Sequence, residues 1–238
     1  MNAWLILGDN AYLTGTDAEY QSGFFNIYKQ KFLKQSPLFP CPGNHDYANN
    51  PQRQIDHAVP YYDILRFRLP VKPVQWIKAD LAANANKEWV VAYWHHPPFT
   101  KGSHNSDTEV ELVKIRENFI RILERSGVDL VLCGHSHDYE RSKLIKGHYD
   151  NQGTVYVVAG SAGQLGATQA GYPHDAMPVA DSQHGGALLL EVEGKRLDAK
   201  WIAADGLVRD QFTVVKDANA NTLIKIEKGQ SVDLSASY

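Results

Sequence analysis

Five short apolar runs, rich in β-branched and aromatic residues, punctuate the chain: Trp4 to Leu7, Val90 to Trp94, Val128 to Cys133, Val155 to Ala159 and Ala187 to Val192. Runs of this length bounded by polar turns predict buried strands. Between the second and third runs the period lengthens. Leu112, Ile115, Phe119, Ile122 and Leu123 fall on one helical face, Ser106 and Glu109 predict a capping box at its start, and Gly127 a stop. That helix leads directly into the third run, the α-then-β order of a layered α/β domain. Further helices are expected from Ala18 to about Gln35 and from Val74 to Ala83. Beyond Gly153 the pattern becomes β-rich. A hairpin joins Ala187–Val192 to Leu197–Ile202, and Asp205-Gly206 turns the chain into Val208–Val215. Past Lys216, Asp217 to Asn221 reads as a linker, and Thr222 to Tyr238 alternates in strand fashion, so a domain boundary is expected near 216.

Composition narrows the function classes. With 43% hydrophobic and 21% charged residues over 238 positions, the chain can bury one sizeable core. Its 24 Lys+Arg against 27 Asp+Glu give a net charge of −3, and no basic block interrupts that balance, so nucleic acid is not an expected partner. The longest apolar runs fall far short of the roughly 20 residues a membrane span needs, and Met1 to Leu7 lacks the features of a signal peptide. Cys41 and Cys133 are too few for a disulfide framework and lack the spacing of a thiolate zinc site.

Four strand-to-loop junctions end in potential ligands: Gly8 to Tyr12, Cys41 to Asp46, His95 to Pro98, and Gly134 to His137. In open α/β sheets, ligands sit beyond the carboxyl ends of strands, so four such loops can meet in one crevice. Carboxylate, amide, phenol and imidazole form a mixed nitrogen and oxygen donor set suited to iron, zinc or manganese, without the thiolates of a closed structural zinc site. His95 and His96 are equivalent on spacing alone.

Taken in order, GDNAY, GNHD, WHHPPF and GHSHDYER resemble the calcineurin-like metallophosphoesterases, and within them the purple acid phosphatase branch. The resemblance runs from about Trp4 to Lys216. It implies a four-layer α/β/β/α sandwich and a centre of two metal ions, iron with zinc, manganese or a second iron. Asp9 would bridge the two ions, and Tyr12 and His137 would bind the first. Asn44, His95 and His135 would bind the second, the family's H-x-P pattern selecting His95 over His96. His45 would face the substrate, Asp46 would orient its ring, and His104 matches a further substrate-facing histidine. Two cations roughly 3.5 to 4 Å apart acidify a water and clamp phosphate oxygens, which gives direct hydrolysis of a small phosphoric ester. Tyr139, Glu140 and Arg141 are expected to support the site from below. The family is secreted, which implies an extracellular or periplasmic setting, and the tail resembles the start of an immunoglobulin-like module.

The sequence also departs from that pattern. The family's first motif, an aspartate on a strand upstream of GD, donates to the first metal and is missing here, and the stretch after Tyr61-Tyr62-Asp63 is shorter than in relatives, at the cost of a core strand. The resemblance therefore implies a shortened, incomplete sandwich, with the second-metal site complete and the first impaired. Three functions follow: monoester hydrolysis, diester or nucleotide pyrophosphate hydrolysis with the same metals, and a metal-binding remnant without catalysis.

Overall fold

The structure, a computed structural model, describes residues 3–29, 33–65, 73–145, 153–216 and 221–224. In chain order the elements are β1 (Trp4–Ile6) and α1, which runs from Asp17–Tyr20 through a wide five-residue turn at Gln21–Phe25 to Asn26–Tyr28. They continue with β2 (Leu38–Pro40), a 3₁₀ turn (His45–Tyr47), α2 (Pro51–Asp56), α3 (Pro60–Leu65), α4 (Pro73–Ala83) and β3 (Val91–Trp94). Next comes α5, from Val110–Ile115 through a second wide turn at Arg116–Ile120 to Arg121–Arg125, followed by β4 (Leu130–Cys133), β5 (Tyr139–Ile145), β6 (Thr154–Ala159) and β7 (Val179–Asp181). The chain then forms β8 (Gly186–Glu193), β9 (Arg196–Ala203), β10 (Val208–Lys216) and β11 (Asn221–Ile224).

These strands make three sheets. β3, β4 and β6 are parallel, and β5 and β7 extend them antiparallel in the order β3-β4-β6-β5-β7. β8 to β11 form an antiparallel meander, and among the described strands β1 pairs with β2 alone, in parallel. Residues 221–224, beyond the boundary expected near 216, join the meander through β10. Alternation on β9 buries Leu197, Ala199, Trp201 and Ala203 and turns Arg196, Asp198 and Lys200 outward. The buried set meets Leu130, Leu132, Val155 and Val157 of the five-stranded sheet. The opposite face of that sheet packs Val131, Cys133, Tyr156 and Val158 against Leu81 of α4 and Ile120 and Leu123 of α5. The layers are therefore helices, sheet and sheet, three of the four layers of the expected α/β/β/α sandwich among the described residues, with a β-rich C-terminal half. Leu5 and Leu7 pack against the core between the sheets although β1 does not pair with β3.

Two expected helix boundaries change. Ser106 does not cap α5. It is fully buried, and its hydroxyl turns to Thr100 rather than to the helix, donating to the Thr100 carbonyl at 3.1 Å and accepting from Thr100 N–H at 2.9 Å. The helix begins at Val110, and the Glu109 carboxylate reaches back to Asn105 N–H at 2.6 Å. Among the described residues the helical turns of α1 end at Tyr28, short of the expected Gln35. Its start holds the capping box instead: Thr16 accepts from Glu19 N–H while the Glu19 carboxylate accepts from Thr16 N–H. The segment 66–72, where the shortening was expected, lies outside the described residues.

Candidate metal centre

The loops that follow β1, β2, β3 and β4 all leave the carboxyl ends of strands and converge. Asp9 is the hinge of the arrangement. Its φ of +52° puts a non-glycine residue in the left-handed region, as does the φ of +65° at His135, and such strained backbone persists where the surroundings fix it. Asp9 Oδ1 accepts from His45 N–H at 2.9 Å, while Oδ2 lies 3.1 Å from His95 Nε2 and 3.2 Å from the Tyr12 hydroxyl. Gly43 allows this approach, since a Cβ there would sit 2.2 Å from Asp9 Oδ1.

His95 fixes the nature of the site. Its Nδ1 donates to the Leu7 carbonyl at 2.7 Å, which leaves a lone pair on Nε2. That nitrogen lies 2.9 Å from Asn44 Oδ1, 3.1 Å from Asp9 Oδ2 and 3.1 Å from His135 Nδ1. Lone pairs facing one another at these distances repel unless a cation stands among them. The spacings match the edges of a coordination polyhedron, about 3 Å for ligand bonds of about 2.1 Å in octahedral geometry. His135 is buried, and the surrounding imidazoles add to that burial in keeping its ring neutral and able to donate. The donor set Asp9, Asn44, His95 and His135 therefore fits a divalent ion.

A second donor set shares Asp9. The Tyr12 hydroxyl lies 3.2 Å from Asp9 Oδ2 and 3.4 Å from His137 Nε2. Burial and the Asp9 charge raise the Tyr12 phenol above its ordinary value, so a bound cation would be needed to turn it into a phenolate. Burial holds His137 below its ordinary value, against the pull of Asp9. Asp9, Tyr12 and His137 are the predicted first-metal residues present, and no upstream carboxylate joins them among the described residues. Glu19 steadies this loop by accepting from Thr16 N–H at 2.9 Å, Thr14 N–H at 3.1 Å and Leu13 N–H at 2.5 Å, which lowers its own carboxyl to about 2.

Two further imidazoles flank the donor sets. His45 Nδ1 is tied to the Leu13 carbonyl at 2.9 Å, with its ring 4.6 Å from that of Tyr12. His104 Nδ1 is tied to Glu109 at 2.8 Å, and its ring stacks on His135 at 3.7 Å. The Nε2 of each takes no hydrogen bond among the described residues. Asp46 does not orient His45 as expected. Successive side chains of a 3₁₀ turn point about 120° apart, and Asp46 points into the interior. There it accepts from Asn10 N–H at 3.1 Å, Asn10 Nδ2 at 2.9 Å, Gly43 N–H at 2.8 Å and Tyr20 at 2.5 Å. It thus ties the first two loops together.

Sequence reasoning missed the partners that aim these groups. Asn49 accepts from Asn44 Nδ2 at 2.6 Å and so turns Asn44 Oδ1 inward. The sequence presents Glu109 as a cap, and Asn49 carries no signal beyond its place five residues after Asn44. The Tyr139 and Arg141 side chains run to Asp210 on β10, whereas Glu140 faces the opposite way and accepts from Lys101 N–H at 3.2 Å.

Residues 2–139, more than half of the chain, match the profile described as calcineurin-like phosphoesterase. The chain belongs to that family. The phosphoesterase is 24% identical to human tartrate-resistant acid phosphatase type 5 over 259 residues, covering 85% of this chain and 75% of that protein. It is 35% identical to probable purple acid phosphatase 20 of Arabidopsis thaliana over 94 residues, 38% of this chain and 22% of that protein. Among solved structures, a purple acid phosphatase from yellow lupin superposes with a TM-score of 0.66 at 16% identity, covering 92% of this chain and 47% of the other. The phosphoesterase thus spans about half the length of the lupin enzyme. GAP50, the anchor in the inner membrane complex of Plasmodium, superposes with a TM-score of 0.65 at 13% identity, covering 94% and 79%. The phosphoesterase is a hydrolase of the purple acid phosphatase-like branch. No helix among its described residues is long and apolar enough to cross a membrane.

Proposed function

We propose that the phosphoesterase hydrolyses small phosphoric monoesters at a centre of two metal ions, one held by Asp9, Asn44, His95 and His135 and the other by Asp9, Tyr12 and His137. The observation that carries this reading is the meeting of Asn44, Asp9 and His135 donor atoms within 3.1 Å of His95 Nε2. When bound, such ions acidify water to a nucleophile and offset charge on phosphate oxygens. The chain's own groups do the rest. Asp9 belongs to both donor sets and fixes their separation, and Asn49 and Leu7 hold Asn44 and His95 in donating orientation. His45 Nε2 is placed to protonate the leaving oxygen, and His104 Nε2 to hold a phosphate oxygen. The phenol of Tyr12 favours iron at the first position, while the imidazole-rich second position suits zinc, manganese or iron. The relatives support a setting outside the cytoplasm.

The test is turnover of p-nitrophenyl phosphate by the purified chain reconstituted with iron and zinc, alongside metal analysis and the visible absorption of an iron phenolate. Chelator-sensitive monoester turnover, two ions per chain, and loss of at least 100-fold in rate in His45→Ala support the reading. Faster turnover of bis(p-nitrophenyl) phosphate assigns diester chemistry instead. One ion, no colour and no turnover identify a remnant.

A further inference from the structure

The His96 ring lies 4.3 Å from the His135 ring and 4.9 Å from the His95 ring. One nitrogen from each of His95, His96 and His135 lies within 4.8 Å of the other two. Among the described residues no group hydrogen-bonds to the His96 ring nitrogens, although Trp94 Nε1 pins the residue's backbone through its carbonyl at 2.6 Å. An imidazole crowded against two others, with a nitrogen close to a nitrogen of each and no protein hydrogen bond to its ring among the described residues, is poorly explained as packing.

We propose that His96 is a third imidazole donor at the second-metal position, and that it biases this position toward zinc over manganese. The inference rests on the binuclear reading above. Asp9 and Asn44 supply oxygen, which either ion accepts, whereas each added imidazole favours zinc, since manganese prefers carboxylate, carbonyl and water. With His96 the position holds three nitrogens, one more than the motif pattern implies. Strand β3 explains how. It ends at Trp94, so His95 and His96 leave its carboxyl end together, and with the Leu7 carbonyl fixing His95, the ring of His96 lies against that of His135.

The test is competition of the metal-free full chain against a chromophoric chelator, with zinc and with manganese, for the parent, His96→Gln and His96→Phe. Phenylalanine keeps a ring on His135 and removes the nitrogen, so it separates donation from packing. The expected result is a 10- to 100-fold loss of zinc affinity at one of the two positions in both variants, with manganese affinity changed less than threefold. The d–d bands of the cobalt-substituted chain should shift as the nitrogen is lost. Zinc affinity within threefold of the parent in folded variants, or equal loss of zinc and manganese, overturns the proposal. His95→Ala is the separate control: if it leaves zinc binding intact, the binuclear reading itself has failed, whereas silence confined to His96 refutes only the third donor.

Discussion

Replacing Asp210 with alanine tests how the two sheets are locked together beneath the site. Asp210 on β10 takes two bonds from the Arg141 guanidinium of β5, at 2.5 and 3.0 Å, and a third from the Tyr139 hydroxyl at 2.8 Å. Arg141 and Asp210 side chains are 3% and 8% exposed, so water cannot replace the carboxylate. The guanidinium also lies 5.0 Å from the centre of the Phe212 ring, which keeps it in place after the carboxylate is gone. Removing one partner of a buried pair costs about 3 to 5 kcal/mol, because the other charge stays desolvated and unpaired. The unpaired Tyr139 hydroxyl adds about 1 kcal/mol. For a chain of this size, about 4 kcal/mol lowers Tm by roughly 8 to 16 °C. The assay is urea and thermal unfolding of the parent, Asp210→Ala, and the double variant Arg141→Met, Asp210→Leu. The double variant removes both charges and should recover most of the loss. A loss below about 1 kcal/mol in Asp210→Ala, or a double variant no better than the single one, would show that the pair is solvated and that the clamp does not hold β5 to β10.

Two further outcomes are expected. Gly43→Ala places a methyl group 2.2 Å from Asp9 Oδ1, so the Asp9 carboxylate must leave its position. The variant should lose metal at both positions while remaining folded, as read by metal analysis and circular dichroism. Glu140 is fully buried, and burial together with the neighbouring Asp138 raises its carboxyl to about 8. A group raised above its unfolded value gives stability that is complete below about pH 4.5 and is lost as pH rises through 8, here with a slope of up to about 1.4 kcal/mol per pH unit. Glu140→Gln mimics the neutral acid, so its urea midpoint should fall less between pH 5 and pH 8 than the parent's. Equal slopes would show that Glu140 is ionised throughout.

The apolar runs and the ligand-bearing junctions were legible because each is local. A strand interior needs β-branched residues, and the groups that bind metal must follow it immediately. β5 was not legible. Its residues Tyr139 to Ser142 are polar yet buried, and their partners come from afar: Asp210, Lys101, and Tyr156, whose N–H donates to Ser142 Oγ at 2.8 Å across a bulge. Hydropathy cannot mark a strand whose polar groups are satisfied by distant residues. The misplaced cap on α5 has the same cause, since Ser106 fits a capping pattern locally but Thr100 takes its hydroxyl.

The sequence by itself determined the donor types, their order along the chain and the helix-before-strand layering, because these follow from residue chemistry and local periodicity. Only the tertiary structure decided which nitrogen of each histidine is free, that Asp46 braces the loops rather than His45, and that His96 stands beside His95 and His135. Those outcomes depend on what packs at 3 to 5 Å from residues far apart in the chain, and closing those distances is the work of the folded sheets.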